Sequence, residues 1–384
     1  MKKTMTSQER VLTTLACQEP DRVPIDYSAN PGIDLRLKQH FGLKLEDNEG
    51  LLQALGVDFR GIDAPYIGPK LHADIPERGI LVDDWGIHRR WVEHGSGRAS
   101  HPELGGPAAH PELGGGYWDY CDWPLKDASE EEVAAWPMPS PDDFDYNAVP
   151  ELCKRYKGFA LNGGNAGVGD VINATSMLRT MEQFLVDMIT DNPPGLLIAR
   201  RRNTILLEVM RRTLEAAKGQ IDFLWLGEDL GTQISPMVSL KLFRKYIRPI
   251  HQTYVDLAKS FNIPVMIHTC GSSSWAYEDF IEMGVNAVDT LQPEAKNMSP
   301  EYLKKNFGGR LAFHGCISTA GPVAYGTVQD VLADCRKTLE IMMPGGGYCF
   351  APTHMLQDNS PTENVLAMYE TAHKYGVYGI PIEN

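Results

Sequence analysis

The stretch Ile263-Pro-Val-Met-Ile-His-Thr-Cys-Gly271, followed by Ala276-Tyr-Glu-Asp-Phe-Ile-Glu-Met283 and Ala287-Val-Asp-Thr-Leu291, decides how this chain is read. Two short apolar runs of strand length flank a segment whose apolar residues recur at helical spacing, which predicts strand, helix, strand. The alternation continues in both directions. Upstream, Phe223-Leu-Trp-Leu226 predicts a strand leading to a helix over 239–261; downstream come a helix over 299–306, a strand Leu311-Ala-Phe313 with a helix over 327–342, and a strand Tyr348-Cys-Phe350 with a helix over 362–375. The helix over 327–342 is amphipathic, with Val328, Val331, Leu332, Cys335 and Leu339 on one stripe behind Thr327 as cap and Asp330 three positions on. Five consecutive βα units of apolar strands and amphipathic helices predict a parallel sheet covered by helices.

Further strand candidates lie near residues 23, 56 and 159, so a closed (β/α)8 TIM barrel is favoured over an open doubly wound sheet. A helix over 7–17, capped by Thr6 or Ser7, precedes the extended stretch Val23-Pro-Ile-Asp-Tyr27; helices are also expected over 176–191 and 194–218. The chain is expected to be a single barrel domain, 1–384, with an N-terminal helical extension over 1–22 and an inserted loop over 89–150 rich in Gly, Pro, Trp and acids. That loop carries a tandem repeat, His101-Pro-Glu-Leu-Gly-Gly106 and His110-Pro-Glu-Leu-Gly-Gly115, read as a tolerated duplication without chemistry, and the loop itself is a candidate lid.

Composition bounds the function. Thirty-six Lys and Arg against fifty Asp and Glu give a net charge of −14, the wrong sign for a chain that neutralises phosphates, so nucleic acid is not an expected partner. No stretch approaches the ~20 apolar residues needed to cross a bilayer, and a cytoplasmic enzyme is expected. Seven cysteines without a regular framework predict reduced thiols. Neither a Gly-x-Gly-x-x-Gly turn nor a Gly-Lys-Ser/Thr phosphate loop is present, and Gly163-Gly-Asn-Ala-Gly-Val-Gly169 has the wrong spacing for a nucleotide site.

Barrel enzymes carry their reactive groups at the C-terminal ends of strands. Here those positions hold Asn162 and Asn165, Glu228 and Asp229, His268 and Cys270, Gln292, His314 and Cys316, then Cys349 with His354. The sharpest pair is His268 and Cys270: two apart in an extended segment, they point the same way, and imidazole with thiolate suits zinc. The third ligand would come from another strand end, Cys349 first and Cys316 as its competitor.

Gly227-Glu-Asp-Leu-Gly-Thr-Gln233, Ile267-His-Thr-Cys-Gly271, Leu311-Ala-Phe-His-Gly315, Gly345-Gly-Gly-Tyr-Cys-Phe-Ala-Pro352 and Ser360-Pro-Thr-Glu-Asn364 together resemble the uroporphyrinogen decarboxylase superfamily. More closely they are similar to its zinc-dependent, corrinoid-linked methyltransferase branch of the coenzyme M type, as are Glu9-Arg-Val-Leu12 and Pro20-Asp-Arg-Val-Pro24. The resemblance implies a TIM barrel. It also implies zinc held by His268, Cys270 and Cys349, which holds a substrate thiol as thiolate toward a methyl group carried on cobalamin by a corrinoid protein. On this reading Glu228 and Asp229 ligate or orient, His354 completes the catalytic set, and Asn165, Gln292 and Gln357 line the cofactor side. Two departures stand out: the run Cys349-Phe-Ala-Pro-Thr-His-Met-Leu-Gln357 is longer than in the thiol methyltransferases, and Cys316 sits where relatives carry a small or polar residue. True decarboxylases of the superfamily grip a polycarboxylate with arginines after the first strand, whereas this chain has Asp26-Tyr-Ser-Ala-Asn-Pro-Gly32. The alternatives are a metal-free decarboxylase or lyase using Asp229 and His268 as acid and base, and a non-catalytic corrinoid- or metal-binding protein on the same barrel.

Overall fold

The computed structural model describes residues 4–93 and 116–380; the two His-Pro-Glu repeats lie outside them. Among the described residues the strands are β1 (Phe59–Ile62), β2 (Ile80–Val82), β3 (His88–Glu93), β4 (Gly116–Tyr120), β5 (Ala160–Gly164), β6 (Phe223–Gly227), β7 (Val265–Thr269), β8 (Ala287–Thr290), β9 (Ala312–Ile317) and β10 (Tyr348–Pro352). Seven form a sheet in the order β1-β5-β6-β7-β8-β9-β10, successive in sequence apart from the detour through β2, β3 and β4, which make a small separate sheet. Strands followed by helices and laid side by side in chain order are the TIM-barrel type of α/β fold.

The chain gathers into two compact units, one of Met1–Phe59, Trp91–Trp118 and Asp289–Asn384, the other of Arg60–Arg90 and Asp119–Val288. In the first, β9 and β10 pair in parallel with Phe313 opposite Tyr348 and His314 opposite Cys349. The expected strand near residue 23 is present only as bridges, Ile25 to Phe350 and Ala29 to Leu356, and the Asp58 amide donates to the Ile25 carbonyl at 2.9 Å. Pro24 has no N–H to give a ladder, so the segment cannot form a continuous strand. It is fastened instead by side chains. The fully buried Asp58 carboxylate meets Arg10 at 2.6 Å and Arg22 at 2.7 Å, and it also accepts from Ser7 Oγ at 2.6 Å and from the Ile25 amide at 2.8 Å. The helix Ser7–Leu15, with Thr6 and Glu9 forming its capping box, is thereby tied to the start of the barrel.

In the second unit β5, β6 and β7 pair in parallel, with Asn162 opposite Phe223 and Leu224 opposite Val265. The continuous helix expected over 176–191 is two helices, Ile172–Arg179 and Met181–Thr190, broken at Thr180, which has φ 71° and caps the second through Gln183. Arg179, at the break, ion-pairs the fully buried Asp187 and donates to the Leu125 carbonyl at 2.9 Å. The apolar period runs through the break, which is why it does not show in the pattern. The helix expected over 239–261 contains a π turn at Phe243–Ile247 before Arg248–Ser260; Pro249, lacking an N–H, accounts for it. Part of the expected loop over 89–150 is regular, since β3 extends the β2 hairpin with Ile80 opposite Arg90. Its arginines and exposed Trp91 gave no alternation to read.

Candidate metal centre

The register of β6 and β7 places Gly227 opposite His268, and the Glu228 amide donates to the His268 carbonyl at 3.0 Å. The residue after Glu228 therefore arrives beside the residues after His268. Asp229 accepts the Cys270 amide on Oδ1 at 2.9 Å, and its Oδ1 lies 3.6 Å from His268 Nε2, which lies 3.4 Å from Cys270 Sγ. The donor atoms of Asp229, His268 and Cys270 all fall within 4.8 Å of one another, and among the described residues they are the group of potential metal ligands so gathered. His268 and Cys270 project to the same side, as alternation in an extended segment requires, while the intervening Thr269 is buried and accepts the Leu230 amide.

Glycine allows the two loops to meet. A Cβ on Gly271, whose φ is +67°, would stand 2.2 Å from the Gly231 carbonyl oxygen, and one on Gly231 would stand 2.3 Å from the Ser272 nitrogen. Backbone packs on backbone here, and no side chain fits between.

Electrostatics divides the acidic pair. Burial would raise the Asp229 carboxyl, but hydrogen bonding and charge from His268, with the Cys270 amide and Asn173, hold it well below the usual carboxylate range. Burial pushes the Cys270 thiol up, with His268 pulling against it. Glu228 faces the other way: it is 1% exposed and accepts from the Val171 and Ile172 amides at 2.8 and 3.0 Å, at the head of the helix Ile172–Arg179. Burial carries its carboxyl up to about 8 despite those two amides. Behind it His251 is fully buried, 3.5 Å away, and burial holds it down to about 4, so it is neutral.

The remaining expected site residues are placed as follows. Asn165 is exposed and accepts the Gly167 amide at 2.9 Å. In the other unit Gln292 is half-buried after β8, exposed His354 lies 3.4 Å from Gln357 Nε2, and Asn30 donates to Gln357 at 3.3 Å. Cys349 is not in the Asp229 group; it is 1% exposed in β10, and burial raises its thiol. His314 and Cys316 lie within β9 and not after it, both buried, because that strand continues through Ile317. His314 is clamped, with Nδ1 at 2.6 Å from Asp289 and Nε2 at 3.1 Å from Asp26. Asp26, Asp289, Asp170 and Asn173 are not among the expected site residues. For the last two a signal was available, since Asp170 three residues before Asn173 is a helix-start pattern.

Residues 205–375, which contain both loops of the centre, match the family model "Uroporphyrinogen decarboxylase (URO-D)". That match covers 171 of the 384 residues, a similarity of this stretch to the family. A 115-residue stretch is 28% identical to a uroporphyrinogen decarboxylase of Thioalkalivibrio sulfidiphilus, so the matched part spans 30% of this chain and about a third, 31%, of that relative. A solved methyltransferase from Methanosarcina mazei shares the fold over 97% of this chain and 99% of its own, with a TM-score of 0.59 and 19% identity. Among the described residues no helix is long and apolar enough to cross a membrane.

The donors of this centre suit zinc on geometry as well as type. With Zn–S of about 2.3 Å and Zn–N or Zn–O of about 2.0–2.2 Å, a tetrahedral site has edges of about 3.5 Å from nitrogen to sulfur and about 3.4 Å from nitrogen to oxygen. The observed separations from His268 Nε2 are 3.4 Å to sulfur and 3.6 Å to oxygen. Thiolate, imidazole and carboxylate are ligand types that zinc accepts, and three of them leave a fourth position open.

Proposed function

We propose that this protein is a zinc-dependent methyltransferase that moves a methyl group between a corrinoid, free or carried by a partner protein, and a small donor or acceptor such as a thiol. The observation that carries the reading is the convergence of Asp229, His268 and Cys270 within 4.8 Å of one another, with the separations from His268 Nε2 to its two partners at tetrahedral-edge length. Those three residues would hold the ion. Zinc, when bound, lowers the pKa of a ligated thiol and keeps it nucleophilic at neutral pH, and the corrinoid supplies the methyl carrier.

The chain's own contribution is to prepare the donors. Asp229 is kept ionised by His268, the Cys270 amide and Asn173. Side-chain exposure of 18% for His268 and 25% for Asp229 leaves the donors reachable by a small molecule while most of their surface is covered. The Gly231–Gly271 contact fixes the two loops against each other, so the three donors are presented with little reorganisation.

The matched decarboxylase relative favours a second reading, a metal-free lyase in which Asp229 and His268 form an acid–base pair 3.6 Å apart. Elemental mass spectrometry of the purified chain separates the two. Near-stoichiometric zinc that is lost in Cys270→Ala and His268→Ala supports the metal centre. Retention in Cys349→Ala assigns Asp229 as the third ligand, and loss there assigns Cys349. Zinc absent, or indifferent to His268 and Cys270, overturns the methyltransferase reading in favour of the lyase. A zinc-loaded protein is then assayed with methylcobalamin and a panel of thiols, in both directions.

A further inference from the structure

The Asp229 carboxylate has two oxygens with different surroundings. Oδ1 accepts the Cys270 amide at 2.9 Å and faces His268 Nε2; Oδ2 accepts Asn173 Nδ2 at 2.7 Å. Asn173 is itself held rigidly in the first turn of the helix Ile172–Arg179, with its amide donating to Asp170 Oδ1 at 3.0 Å. The next amide, that of Ala174, donates to Asp170 Oδ2 at 3.1 Å, while those of Val171 and Ile172 donate to Glu228. Two carboxylates thus take up four successive amides at this helix head, and one of those carboxylates belongs to the residue directly before Asp229. The helix head and the Glu228–Asp229 dipeptide are locked together on two sides.

Resting on the zinc reading above, we propose that Asn173 is a positioning residue for the metal centre: it fixes the Asp229 carboxylate so that Oδ1 alone is offered to the ion. A carboxylate without that bond can rotate about its terminal torsion, which is broad and roughly two-fold, and either recede or present both oxygens. Outer-shell partners of ligating carboxylates characteristically tune metal affinity by 10–100-fold. An amide at position 173 suits the task, because it donates without adding a charge beside the carboxylate.

The test uses the full-length protein, loaded with zinc for affinity by chelator competition and with cobalt(II) for absorption spectra. In Asn173→Leu, which keeps the branched shape and removes the donor, zinc affinity is expected to fall about 10–100-fold. The cobalt ligand-field bands should shift while the thiolate-to-cobalt charge-transfer band from Cys270 persists. Asn173→Ser, which keeps a shorter donor, should recover part of the affinity. In an Asp229→Ala background, Asn173→Leu should cost no further affinity, a result that a purely structural role would not produce. Unchanged affinity and unchanged cobalt bands in Asn173→Leu, or an equal loss with and without Asp229, overturns the proposal. If Asn173→Leu does not fold, Asn173→Ser decides on the same readouts. A wild-type chain that takes up neither metal sinks the zinc reading itself and is distinguishable from all of these.

Discussion

Two strand histidines, His268 and His314, look alike in sequence and differ completely in setting. Each lies in a strand of the same sheet with a cysteine two residues on. His268 turns one ring nitrogen toward two further donors, Asp229 and Cys270, and its side chain is 18% exposed. His314 spends both ring nitrogens on carboxylates, Asp289 and Asp26, and its side chain is 4% exposed. An imidazole with both nitrogens engaged has no lone pair for a metal, whereas one nitrogen facing two other donors is the start of a coordination sphere. The cysteines follow the same division. Cys270 sits beside His268 Nε2, while Cys316 is buried at φ +66° with its thiol pushed far up by burial. Thr290 and Leu291, next to Asp289, also hold positive φ, at 89° and 52°. The His314 clamp is thus built on strained backbone, which persists only where surrounding structure over-determines it.

The contrast predicts opposite outcomes for equivalent substitutions. His314→Ala leaves two carboxylates in a buried site without their shared cation, so it should cost about 3–5 kcal/mol of stability and leave zinc content per folded molecule unchanged. Urea unfolding with metal analysis checks both, and loss of zinc in this variant would break the comparison. Gly271→Ala drives a Cβ against the Gly231 carbonyl from a left-handed backbone position. It should cost about 1–3 kcal/mol and lower zinc occupancy as well, because the loop carrying Cys270 has to move.

The clamp also sets a pH dependence. Burial lowers the His314 imidazolium, but Asp289 and Asp26 outweigh it and carry it up to about 10. An unfolded histidine titrates near about 6.5, so the folded chain keeps a proton that the unfolded chain releases. That stabilisation is complete below about pH 6.5 and is lost as pH rises through about 10, with a slope of at most about 1.4 kcal/mol per pH unit. The difference in unfolding free energy between the wild type and His314→Gln should therefore shrink across that window; a constant difference would show that the imidazole is not held protonated. The smallest stability effect is expected from His268→Ala, within about 1 kcal/mol for a part-exposed side chain without metal, and yet it should abolish zinc binding. A large destabilisation of the metal-free protein would make His268 another structural clamp.

Much of this was legible in the sequence. The βα alternation from Phe223 onward named the strands of the sheet to within a few residues, since a short apolar run between amphipathic helices has few other ways to be buried. The pairing of His268 with Cys270 followed from strand alternation alone. Local patterns failed where a break costs no apolar residue, as at Thr180, or where side chains replace a ladder, as around Asp58.

What the sequence by itself determined is therefore the architecture and the inventory of ligand-type residues in and after the strands, because periodicity and residue chemistry are local properties. Which of those residues converge was decided by tertiary structure alone. Glu228 and Asp229 are adjacent and chemically alike, yet one caps a helix with two amides and the other stands 3.6 Å from His268. The register of β6 on β7 and the approach of the Ile172–Arg179 helix head chose between them. These are relations between segments far apart in the chain, and distance in space is the one quantity that determines whether three side chains can share an ion.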